Sequence, residues 1–331
     1  MIHLKQNLLT FSFPHVHDDA AMELEFQRTL RIPDDDTIYP LPPGLGNFPI
    51  RHIVDFESHI PKQWEEHGGV MFPMFQSEAM WINFNSPSRY PFLVKIATGQ
   101  INAVTAGAWQ DRPQSDPQDY VVVPDQPWLD GYCVKKGEIR QFVAMPLGHG
   151  YTTEEQLTGE AVHGGIQVIV HPMKAEEWEK IKTKHVESDI KYCSKAVFST
   201  CEPDMGLAPG GRMTQKVYDD LYDFNVWDLD HGSRCFVHIT NSITWRAITG
   251  EAPPTIPLTS RQYTEAGLPW FNYYAPENEA VDGGRILKKL RSVSKMSAET
   301  GEAILPENDT IAVPEAQLFK LGNLDQVREG W

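Results

Sequence analysis

The strongest constraint on this chain is the length and phase of its apolar runs. Met22-Glu-Leu-Glu-Phe26 alternates apolar and acidic residues, the pattern of an antiparallel strand with one buried and one wet face. Leu8–Phe13, Val70–Phe75, Met80–Phe84, Phe92–Ala97, Ile101–Thr105 and Tyr120–Val123 are similar short runs. Gly, Pro, Asn or Asp bounds each of them, and these residues supply turn geometry. Phe92–Ala97 and Ile101–Thr105 flank Thr98-Gly99-Gln100, a hairpin signal. Alternating βαβ units are absent, which argues against a Rossmann or TIM-barrel fold. The expected class is α+β, predominantly antiparallel β with sandwich- or barrel-like sheets, a few short peripheral helices and an extended C-terminal segment.

Proline sharpens this reading. Of 25 prolines, several fall in Ile38–Pro49, where fixed φ and missing donors predict an extended, helix-free connector. With few charges, it is expected to lie against the body. A polyproline ligand for an aromatic groove is the functional alternative. Helical patterns are fewer: Lys174–Ile190 carries a narrow apolar stripe, Tyr263–Gly267 one turn, and Arg285–Val293 an apolar face beside a basic one. The tail from Ser297 shows no helical period and is expected to wrap the body. A change of composition around Val186–Gly211 divides the chain into a β-rich body (1–185) and a second part (186–331) that completes or packs on it. A single intertwined domain is the equal alternative.

Charge narrows the partners. With 29 basic and 45 acidic residues, the formal net charge is −16. Such a field repels phosphate backbones and anionic lipid, so no nucleic-acid or membrane partner is expected. No apolar run reaches the roughly 18–20 residues of a spanning helix. The N-terminus shows no signal-peptide block, and a cytoplasmic location is the expectation. Cys133, Cys193, Cys201 and Cys235 lack CxxC spacing and read as reduced thiols. A Cys193–Cys201 pair would require an oxidising compartment.

Asp125–Met173 concentrates polar chemistry. Strand signals there surround Gly148-His149-Gly150, a short helix over Thr153–Leu157 and a strand over Ile166–His171. Thr152 and Glu155 fit a capping box. Glu154 and Glu155 in the first turn would repel phosphate, and the P-loop lysine is missing. A divalent metal fits the residue types better: His149, Glu154, His163 and His171 converge if the helix packs over the following strand. Their spacing is irregular, so ordinary polar side chains at a turn-rich edge are the plainer reading. His15 and His17 form a secondary candidate, because His-x-His at a strand end places both imidazoles on one side. Asp228-x-Asp230-x-Gly232 resembles the start of a calcium loop but lacks the closing glutamate. No Gly-x-Ser-x-Gly elbow is present.

Tryptophans are scattered at Trp81, Trp109, Trp128, Trp227, Trp245, Trp270 and Trp331, and Pro269–Tyr274 packs four aromatics into six residues. Core filling accounts for most of them, with a stacking platform or interface as the alternative. No catalytic spacing accompanies them. The first functional expectation is therefore a soluble binding or assembly protein that self-associates. A metal-dependent hydrolase at residues 149–171 is the alternative. A small-molecule ligand in the mouth of the β-structure is the third.

Overall fold

The alternating runs become strands of one large, mostly antiparallel sheet in the computed structural model, which describes residues 1–35, 37–182, 203–253, 256–273 and 279–321. Leu8–Ser12 pairs with Ala21–Thr29, and that strand with Ala79–Asn85. The ladder continues through Glu138–Pro146, Pro203–Thr214, Ser233–Thr240 and Ile166–Pro172 to Phe92–Thr98. Across the interior, the Phe13 and Phe92 rings from opposite parts of this ladder lie 5.9 Å apart. The sheet thus curls so that one face encloses a core built from nearly every strand, including Phe11, Phe26, Phe72, Tyr132 and Phe142. Each such side chain contributes about 1.5–3 kcal/mol on leaving water.

Period-two patterning operates as expected. On Ala21–Thr29, Met22, Leu24 and Phe26 are fully buried, while Glu23, Glu25 and Gln27 are half-buried on the opposite face. Strands from both sides of residue 186 share this sheet, since Pro203–Thr214 and Ser233–Thr240 lie in the middle of the ladder.

The helices are short. Thr153–Thr158 opens on the capping box of Thr152 and Glu155, and Gly159 closes it in the left-handed region. Ala175–Ile181 buries Trp178; the rest of the helix expected over Lys174–Ile190 falls largely outside the described residues. Arg285–Val293 differs from expectation. Only Leu287–Lys289 coils, as a 3-10 turn, and the α-helix begins at Val293 because Ser292 accepts the Lys295 N–H. That helix runs to Thr300, one turn into the tail expected to be extended; Val293 and Met296 provide the buried face. Beyond Gly301 the tail does wrap the body. Asn308 accepts from the Asp34 N–H at 2.9 Å, and Ser77 donates to Ile304 O at 3.1 Å.

Ile38–Pro49 is helix-free but joins the sheet. Ile38–Tyr39 runs parallel to Arg212–Met213, and Gly44–Asn47 pairs with Ala21–Thr29. The paired residues are the non-proline ones, so no ladder donor is missing. Among the described residues, no helix is long and apolar enough to cross a membrane.

Candidate functional site

The outer face of the sheet carries the site, and strand register assembles it. Glu25 and Gln27 face outward because Leu24 and Phe26 face the core. On Ala79–Asn85 the same alternation turns Trp81 and Asn83 outward between buried Met80, Ile82 and Phe84. Pairing sets Glu25 opposite Asn83 and Gln27 opposite Trp81. Flanking strands extend both rows: Trp128 pairs with Asn83, and Asn47 with Gln27. Two cross-strand rows result, Glu25–Asn83–Trp128 and Asn47–Gln27–Trp81, with opposed side chains roughly 5 Å apart at Cβ.

The proline connector walls this face. Leu41 and Phe271 exchange backbone hydrogen bonds of 2.8 and 3.0 Å, tying the connector to the Trp270–Tyr273 strand. Gly44 runs against the Trp81 indole so closely that a Cβ would lie 3.1 Å from Cζ2. Between them lies a cleft of about 640 Å³, well inside the usual range of roughly 300–1,000 Å³ for small-molecule sites. Trp81, Trp128 and Phe271 supply its aromatic surface, and no lysine, arginine or histidine is among the described residues that line it. The two indoles meet edge-on, at 74° with centroids 6.3 Å apart.

Its polar groups are held in place. Glu25 accepts from Asn47 Nδ2 at 2.7 Å, Asn83 Nδ2 at 3.0 Å and Gln27 Nε2 at 3.5 Å. Gln27 Nε2 also donates to Asn47 Oδ1. Asp130 lies deeper, fully buried, and accepts from Gln215 Nε2 at 2.6 Å and from the Trp128 side chain. Burial pushes its carboxyl up to about 7, with those two donors opposing the shift. The indole N–H of Trp81 is buried and has no acceptor among the described residues.

The residues singled out from sequence are placed differently. Glu154 is buried, with its carboxyl raised by burial, and accepts the backbone N–H groups of His163 at 3.3 Å and Gly164 at 2.9 Å. Gly99 packs on it: a Cβ there would lie 2.4 Å from Glu154 Oε2. Glu155 accepts from the Gly148 and Gly150 N–H groups, leaving His149 exposed on the loop between them. His171 stands on the far part of Ile166–Pro172, about 17 Å from Ile166 at roughly 3.3 Å per residue. Its Nδ1 faces Asp228 O at 3.3 Å, burial lowers its pKa, and its Nε2 has no partner among the described residues. Glu154 and His163 therefore come together, and His171 does not join them. Among the described residues, no group of three or more His, Cys, Asp or Glu side chains is placed to hold a metal ion.

His163 belongs instead to a stack of rings. His67 lies 6.4 Å from His163 and 6.4 Å from His238, and it stacks on Phe236 at 4.6 Å. His238 stacks on Trp64 at 4.1 Å and contacts Gly68 O through Nε2 at 3.0 Å. Burial pushes the His238 imidazole down to about 4.

His15 and His17 diverge, because Pro14–Val16 forms a turn where a strand end was expected. His15 packs against His231 at 5.0 Å, whereas His17 meets Glu179 at 2.8 Å and the Tyr90 ring at 5.6 Å. Asp228 contacts His231 at 2.8 Å and accepts the Asp230 N–H at 3.3 Å, a local turn. Burial pushes the Cys133 and Cys235 thiols up to about 12, away from thiolate chemistry. Cys193 and Cys201 lie outside the described residues.

Sequence reasoning missed the cleft as a site. The signal available was phase: Trp81 sits at an outward position of its strand, beside Asn83, where a core aromatic would not. Family models, curated proteins and solved structures contain no match to this chain.

Proposed function

We propose that this chain is a binding protein that takes an uncharged, ring-bearing small molecule in the Trp81–Trp128–Phe271 cleft. The observation that carries this reading is the composition of the lining: three aromatic rings beside a fixed set of carboxamides and carboxyls, with no cationic side chain among the described residues that line it. Aromatic surface supplies burial energy, and a few placed polar groups supply orientation. Glu25 is already positioned by three amide donors, so little ordering remains to be done on binding. Phosphorylated or carboxylated ligands find no counter-charge among the described lining residues and meet the repulsion of Glu25.

A protein-observed NMR screen of small ring compounds tests this. Uncharged compounds are expected to shift the indole N–H resonances of Trp81 and Trp128, and their phosphorylated analogues are not. The reading fails if anionic compounds bind this cleft preferentially, or if nothing in the screen moves the two indoles.

A further inference from the structure

The geometry points to a saccharide as the ligand of this cleft, an assignment that rests on the binding reading above. Ring shape is the first argument. A flat heteroaromatic ring is best held between two parallel aromatic faces, but Trp81 and Trp128 stand at 74° to each other. That corner provides no parallel slot for a flat ring. It suits a puckered ring, which lays its C–H face on one indole and sends polar groups outward from its rim.

The second argument is the hydrogen-bond pattern at that rim. A hydroxyl both donates and accepts, so a polyol needs donors and acceptors side by side. Glu25 has about four lone-pair sites, and three of them are engaged by amide N–H groups. Among the described residues, Asn83 Oδ1 and Gln27 Oε1 accept no hydrogen bond. Each carboxamide nitrogen carries two N–H groups, and Asn83 uses one of its own on Glu25. Among the described residues, open acceptors on Glu25, Asn83 and Gln27 therefore stand beside open N–H groups on Asn83 and Asn47, while both Gln27 N–H groups are already engaged. Adjacent hydroxyls need both kinds.

Charge is the third. An organic cation would also fit rings beside a carboxylate. Here the Glu25 charge is already spread over three donors, and Asp130 is buried with its carboxyl raised toward neutrality. A neutral ligand is favoured over either ion.

Testing uses the full chain with neutral oligosaccharides of glucose, xylose and N-acetylglucosamine as probes. Adenine serves as the flat neutral ring and tetramethylammonium as the cation. Indole N–H shifts of Trp81 and Trp128 report the site, and calorimetry gives affinity. At least one oligosaccharide is expected to bind at the two indoles. Glu25→Gln should weaken it at least about tenfold, the scale of a hydrogen bond to a charged acceptor, with the thermal midpoint held. Asn83→Ser provides a second variant in the same row, with a severalfold loss expected. Binding of adenine without any oligosaccharide would overturn the saccharide and leave the uncharged-ring reading standing, whereas binding of tetramethylammonium alone would overturn both. Undisturbed indoles with every probe would overturn both readings. Saccharide binding unaffected by Glu25→Gln and by Asn83→Ser would overturn the assigned rows.

Discussion

The 148–172 stretch and the Trp81 cleft draw on similar polar side chains, and they use them in opposite ways. Glu154 and Glu155 spend their oxygens on backbone N–H groups of their own loops. Glu25 spends its oxygens on neighbouring side chains that border an open volume. The first arrangement closes a structure; the second leaves a surface ready to meet something. Richness in His and Glu is thus a poor guide to a site unless one asks which atoms remain unsatisfied.

Glu154→Ala breaks the comparison most directly. It strands the His163 and Gly164 N–H groups beside a buried void, so a loss of about 2–4 kcal/mol is expected. Glu25→Ala on the outer face should cost less than about 1 kcal/mol. Chemical denaturation of both variants measures the gap. Equal losses would mean that Glu25 is as structural as Glu154, and the contrast between the two regions would collapse.

Acid titration sharpens the comparison, because the two regions respond with opposite signs. His238, near the first region, is held at about 4 in the folded chain, below its unfolded value of roughly 6.5. Its contribution is present above pH ~6.5 and is lost as pH falls through about 4. Asp130, under the cleft, is held at about 7, above its unfolded value of roughly 3.9. Its contribution is present below pH ~3.9 and is lost as pH rises through about 7. Each amounts to a few kcal/mol in order of magnitude. Stability measured from pH 4 to 7 should therefore rise less steeply with pH in His238→Phe than in the natural chain. In Asp130→Asn it should rise more steeply. The same slope in all three chains would show that neither group titrates with its burial.

The antiparallel fold was legible because period two and turn residues are local properties. Met22-Glu-Leu-Glu-Phe26 needs no distant partner to declare which face is buried. The capping box at Thr152 and Glu155 was legible for the same reason. The cleft was not, because it depends on register. Glu25, Asn83 and Trp128 are far apart in sequence and become neighbours only when three strands pair in one phase. The connector illustrates both cases. Its prolines predicted an extended path against the body, but nothing local indicated that Leu41 would bridge Phe271 and wall a cavity. His15 and His17 show the opposite case: the rule was a local one for a strand end, and the chain turns there.

The smallest expected change is also the most selective. Gly44 needs no left-handed backbone, so alanine there adds only a methyl group, 3.1 Å from Trp81 Cζ2 and 3.2 Å from Gln27 Oε1. Those neighbours must yield by a few tenths of an ångström, and the Gln27 carboxamide is the softer of the two. A stability change below about 1 kcal/mol is expected. The methyl group nevertheless enters the cleft beside the indole face and the Asn47–Gln27–Trp81 row. Gly44→Ala should therefore weaken any ligand of the cleft severalfold and leave the melting curve nearly unchanged. Calorimetric titration beside thermal unfolding reads both quantities. If affinity holds, the ligand rests against Trp128 and Phe271 instead, and the site shifts to the other side of the same cleft.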